Sequence, residues 1–111
     1  MNVIHWLKVW FSSRNNALSF YQRGMARVKS RDHAGATDAY STAIELRASP
    51  LEVIAMALFN RELVFVASGE ERRCIEDLGE LLAMDMAPMN VKTQARAKLA
   101  RIEDRSAKRK A

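Results

Sequence analysis

ALSFYQRGMARVKSRDHAGATDAYSTAIEL, residues 17–46, is the stretch that decides the fold. Its apolar residues recur at helical spacing twice, over Ala17–Lys29 and over His33–Arg47. Ser30-Arg31-Asp32 separates the two runs, and Asp32 is a predicted N-cap, because a short carboxylate can accept the unpaired N–H groups of a first helical turn. β-Branched alternation is scarce and the chain holds only 4 Gly, which argues against a sheet. The stretch predicts two helices joined by a tight turn.

The same pattern returns 38 residues later, an interval set by the residues that coincide. Arg23 falls on Arg61, Asp32 on Glu70, Asp38 on Glu76 and Ile44 on Leu82. Pro50 falls on Pro88, Val53 on Val91 and Ala57 on Ala95. Ser49-Pro50-Leu51-Glu52 predicts the next helix start, with Ser49 as cap, Glu52 closing a capping box and Pro50 at the first position. Ser68-Gly69-Glu70-Glu71 repeats that logic, with Gly69 in the turn and Glu71 closing the box. Pro88 opens a last helix, about residues 88–105, with one apolar stripe of Val91, Ala95, Leu99 and Ile102. A single stripe on an otherwise wet helix suits a terminal cap.

In its first unit the chain resembles a tetratricopeptide repeat. The residues that carry the likeness are Phe20, Gly24, Ala26, Asp32, Ala36, Tyr40, Ala43 and Leu46. In that family Gly24 and Ala36 would be the small residues that let two antiparallel helices approach, Tyr40 would fill the hole beside them, and Ala43 would meet the next helix. The second unit, carried by Leu58, Glu62, Val64, Glu70, Cys74, Leu78, Leu81 and Met84, is more degenerate. Glu62 replaces Gly24 and Leu81 replaces Ala43, and both departures count against close helix approach there. The period exceeds the family's usual one, and the extra residues fall around Ser49-Pro50 and Ala87-Pro88.

The resemblance implies that the first helix of each pair lines a concave surface. The lining residues would be Leu18, Tyr21, Met25 and Val28, then Met56, Phe59, Leu63 and Val66, with Gln94, Ala97, Lys98 and Arg101 continuing along the last helix. Asn60 matches one member of the family's carboxylate-gripping set, but Tyr21 and Met25 stand where Lys and Asn are expected, so a clamp for a C-terminal carboxylate is not expected. The groove is therefore read as apolar, binding a partner peptide or helix.

Upstream, Val3-Ile4-His5-Trp6-Leu7-Lys8-Val9-Trp10-Phe11 is apolar at seven of nine places and holds both tryptophans. On a helix Val3, Leu7 and Trp10 share a face, with Ile4 and Phe11 beside it. Asn15-Asn16 predicts a break before the first unit. The expectation is an N-terminal helix that packs on its own repeats and fills the groove through Val3, Trp6, Leu7, Trp10 and Phe11. The alternatives are pairing with a second chain as a homodimer and lying in a membrane interface.

Charge narrows the partners. Residues 1–31 carry six basic groups and no acid, residues 32–91 balance to −7, and residues 92–111 to +6. The net +5 is thus two basic ends around an acidic middle, which is unlike a uniformly basic nucleic-acid binder. Two His and one Cys make no standard zinc site, no apolar run is long enough to span a bilayer, and no phosphate loop or nucleophile motif occurs. His33 reads as a first-turn surface residue, Cys74 as a buried thiol, and Glu76, Asp77 and Glu80 as a solvated face. The basic tail after Arg105 reads as disordered.

The sequence therefore predicts an all-α protein: an N-terminal apolar helix (1–14), two tetratricopeptide-like repeats with a capping helix forming an α-solenoid (15–105), and a basic tail (106–111). The expected function is cytoplasmic protein–protein interaction without catalysis, cofactor or metal. A peripheral membrane adaptor anchored by the aromatic helix, or a nucleic-acid-associated accessory protein, is the alternative.

Overall fold

In the computed structural model, residues 3–46 and 49–110 are described, residues 6–14 by their backbone alone. The described residues form five α-helices and no strand: α1 (Val3–Lys29), α2 (His33–Glu45), α3 (Leu51–Ala67), α4 (Glu71–Ala83) and α5 (Met89–Lys110). Each helix packs on its successor, and α3 also touches α1 and α5. Short turns between touching neighbours make them antiparallel.

The turns within the two helix pairs close alike. The Asp32 N–H donates to the Arg27 carbonyl at 2.9 Å, and 38 residues on the Glu70 N–H donates to the Phe65 carbonyl at 2.8 Å. Such bonds satisfy carbonyls left over at a helix end. The residue that needs a left-handed backbone is Gly69 in one turn (φ 76°) and Arg31 in the other (φ 60°). Burial repeats at the same interval. Ala17 and Ala55, Gly24 and Glu62, Ala36 and Cys74, Ala39 and Asp77, Tyr40 and Leu78, and Ala43 and Leu81 are buried pairwise, and Ala57 and Val64 are matched by Ala95 and Ile102 of α5. The repeat is thus a repeat of packing as well as of letters.

Two apolar clusters result. Ala36, Tyr40, Ala43, Ala57 and Val64 form one, and Ala55, Phe65, Cys74, Leu78, Leu81, Ala87, Ala95 and Ile102 form the other. α3 contributes to both, because it is apolar on more than one face. Close approach in the first pair depends on Gly24. A Cβ there would lie 2.6 Å from Cδ1 of Tyr40 and nearer still to Cε1. Gly24→Ala is expected to lower stability by about 1–3 kcal/mol through overpacking. Urea unfolding would measure it, and adding Tyr40→Leu should recover part of the loss.

Several expectations from the sequence are corrected. α1 passes through Asn15-Asn16 unbroken. Both asparagines are exposed, and their weak helix propensity costs only a few tenths of a kcal/mol each, less than a break would. Without that hinge the backbone of residues 3–16 continues the axis of α1 instead of turning back along it. α1 is about 40 Å long, roughly twice the length of α2. The overhang helps explain a radius of gyration of 15.8 Å, against about 13 Å for a compact chain of this size.

The caps also differ. Asp32 caps α2 as expected, accepting from the Gly35 N–H at 2.9 Å. Ser49 instead donates to the Ala43 carbonyl at 2.8 Å, and Pro50 is the N-cap of α3 without a side-chain bond. Ser68 turns back to the Val64 carbonyl, so no capping box forms at α4. In each case the hydroxyl bonds a carbonyl at the end of the preceding helix rather than an N–H of the next. α5 runs to Lys110 and takes in the tail read as disordered. Its last turn is cationic, which suits a helix C-terminus, and Arg109 reaches Glu71 of α4 at 3.0 Å.

Candidate partner groove

α1, α3 and α5 share one side of the molecule, and two adjoining concavities run between them. The first, about 270 Å³, lies between α1 and α3 and is lined by Met25, Val28, Lys29, His33, Tyr40, Asn60, Leu63, Val64 and Ala67. The second, about 480 Å³, lies between α3 and α5 and is lined by Glu62, Leu63, Val66, Lys98, Arg101, Ile102, Asp104, Arg105 and Lys108. Leu63 belongs to both and forms the ridge between them. Met25, Val28, Leu63 and Val66 are 40–55% exposed, so an apolar strip faces water there.

The structure brings seven of the expected lining residues to these concavities: Met25, Val28, Asn60, Leu63, Val66, Lys98 and Arg101. Leu18, Tyr21, Met56, Phe59, Gln94 and Ala97 line neither. Tyr21 packs against the Ala36–Tyr40 cluster, its ring 5.9 Å from that of Tyr40. Phe59 packs against the α4–α5 cluster beneath the Lys98 ammonium, 4.1 Å from the ring centre. The Asn60 amide is engaged, donating to the Tyr21 hydroxyl at 2.8 Å and to the Met56 carbonyl at 2.9 Å. Val3 and Ile4 are 70% and 61% exposed, while the side chains of Trp6, Leu7, Trp10 and Phe11 lie outside the described residues.

Beneath the groove are polar groups that the sequence reading placed elsewhere. Asp77 is buried at 3% exposure, not solvated. Its carboxylate accepts from Arg61 Nε at 2.8 Å and from a terminal Arg61 nitrogen at 2.6 Å, while the other terminal nitrogen donates to Ser41 Oγ at 2.9 Å. This fork ties α3 to α4 and α2. Glu62, in the place of Gly24, is 1% exposed. Its carboxylate takes a short hydrogen bond from the Lys98 ammonium and a second, at 3.3 Å, from the Cys74 thiol. The larger residue in the place of the small Gly24 is thus accommodated, its carboxylate satisfied between α3, α4 and α5. His33 is half-buried rather than on the surface, and its Nδ1 is buried without a hydrogen-bond partner.

These surroundings fix the thiol chemistry. Burial, and then the hydrogen bond to Glu62, pushes the Cys74 thiol up from 9.0 to about 12. It is a protonated donor at neutral pH, not a nucleophile. Burial, and then Tyr21, pushes the Tyr40 hydroxyl up from 10.0 to about 12. Both folded values exceed the unfolded ones, so the folded chain holds these protons longer. The stability this confers is whole below about pH 9 and is lost as pH climbs toward about 12. Urea unfolding across that range should show a falling midpoint, and Cys74→Ala with Tyr40→Phe should flatten the fall.

No family model, curated protein or solved structure matches the chain. Its functional reading therefore rests on its own residues. Among the described residues no group of His, Cys, Asp and Glu could hold a metal ion, and no helix is long and apolar enough to cross a membrane.

Proposed function

We propose that this chain is a non-enzymatic interaction module of stacked, tetratricopeptide-like helix pairs. It takes a partner peptide or helix into the groove between α1, α3 and α5. The observation that carries the reading is the continuous strip of exposed apolar side chains along two concavities that meet at Leu63. A concave apolar strip with a polar rim is the usual setting for helix-in-groove recognition. The stacking is supported by burial that repeats every 38 residues and by Tyr40 seated against Gly24. Isolated exposed residues such as Ile75 on α4 lie outside the groove and give a control.

The test is selection of binding peptides from a random library, followed by affinity measurement against variants. Leu63→Ser is expected to weaken the selected peptides about tenfold or more, as loss of a central apolar anchor does. Ile75→Ser should leave them unchanged. Peptides indifferent to Leu63 but sensitive to Ile75 would place binding on the other face and end the reading.

A further inference from the structure

Taking the groove as the docking face, we infer that it receives an acidic, apolar-anchored helix or peptide, its carboxylates lying along α5 and its apolar edge along α3. The two ends of the groove differ in chemistry. Toward α1 the lining is mainly Met25, Val28, Leu63 and Ala67, with Lys29 as its one permanent cation. Toward α5 the apolar floor continues through Leu63, Val66 and Ile102, but the wall is cationic.

That wall is Lys98, Arg101, Arg105 and Lys108. Their spacing of three, four and three residues sets them on one face of α5, over about 15 Å of helix. Lys98 is committed to Glu62. Among the described residues Arg101, Arg105 and Lys108 form no ion pair, whereas Arg109, one residue on, reaches Glu71. Asp104 is the single acid in the wall apart from the occupied Glu62. A row of unpaired cations beside an apolar floor matches a segment with carboxylates on one edge and large apolar residues on the other. The apolar edge supplies affinity, and the charges supply encounter rate, register and choice of partner.

Charge also decides against two other occupants. A second copy's α1 would bring the basic groups of residues 1–31, which include no acid, against a basic wall. A single-stranded nucleic acid would suit the cations, but no aromatic side chain lines the α5 end for its bases to stack on.

The experiment compares two labelled helical peptides by fluorescence anisotropy. Both carry leucines at i, i+4 and i+7; one is flanked by glutamates and the other by lysines. The glutamate peptide should bind the full chain roughly tenfold more tightly than the lysine peptide, with a gap that narrows as salt rises. The double variant Arg101→Glu/Arg105→Glu, its helicity checked by circular dichroism, should invert the order, and Leu63→Ser should weaken the preferred peptide in either background. Equal affinity for the two peptides, with both weakened by Leu63→Ser, overturns the acidic partner and leaves the groove standing. Binding that Leu63→Ser does not change, or none by either peptide, overturns the inference together with the groove. Displacement of the glutamate peptide by poly(U), lost in the double variant, replaces it with a nucleic-acid backbone.

Discussion

Arg61→Ala is expected to lower the unfolding free energy by about 3–5 kcal/mol, a large part of what holds a domain of this size. Arg61 and Asp77 are 15% and 4% exposed at their side chains, so the pair is taken almost wholly out of water. Truncating Arg61 removes both hydrogen bonds to Asp77 and leaves a carboxylate with little solvent to replace them. It also strips Ser41 of its donor. The loss should therefore exceed that of Arg27→Ala, whose ion pair with Asp32 is 60% and 39% exposed and worth at most about 1 kcal/mol.

The double variant Arg61→Met/Asp77→Leu separates pairing from packing. If the cost of Arg61→Ala is an orphaned charge, replacing both partners by apolar groups should recover most of it, since a buried ion pair often does no better than a well-packed apolar pair. Chemical denaturation of the single and double variants measures the coupling. A single variant within about 1 kcal/mol of wild type would mean that water reaches Asp77, and the interior fork would lose its structural role.

Arg61 and Asp77 also show what the sequence made legible. In the first helix pair their equivalents at the 38-residue interval are Arg23 and Ala39. Arg23 lies over the Phe20 ring at 4.7 Å, and Ala39 is buried without needing a partner. Asp77 reads with Glu76 and Glu80 as a solvated face, yet it shares the interior position of Ala39 in the repeat. Position outweighed residue type because Arg61 sits sixteen residues back on the neighbouring helix, a separation no local pattern shows. The same holds for Glu62, whose partners Lys98 and Cys74 are 36 and 12 residues distant.

Helix existence, the Asp32 cap and the Gly69 turn followed from local spacing, whereas the groove residues of α1 and α3 came only from the resemblance to a repeat family, and Leu18, Tyr21, Met56 and Phe59 line neither concavity. Arg105 and Lys108 were within reach too, since they extend the helical spacing of Lys98 and Arg101 by one and two turns. The serine caps and the supposed break at Asn15-Asn16 were not, because each turned on competition. Ser49 and Ser68 had carbonyls of the preceding helix within reach, and the asparagines had no left-handed turn to favour.

Lys98→Met is expected to cost a similar 3–5 kcal/mol, but to show it first at one end of the molecule. Lys98 holds α5 to α3 through Glu62, the most deeply buried charged side chain among the described residues. Methionine keeps the apolar stem over Phe59 and removes the ammonium, so the loss reports the charge rather than the packing. α5 is fully buried only at Ala95 and Ile102, and its other ties are the partly buried Val91 and Leu99 and the exposed Arg109–Glu71 pair, so the Lys98–Glu62 contact carries much of its docking. Amide exchange should accelerate in α5 before α2 or α3. Alkylation of Cys74, which shares the Ala95–Ile102 cluster, should speed up as α5 lifts away. Glu62→Leu in the same background should restore slow exchange, because no carboxylate is then left unpaired. Unchanged α5 exchange in Lys98→Met would show that Glu62 finds another donor, and α5 would owe its place to its apolar stripe and the Arg109–Glu71 pair instead.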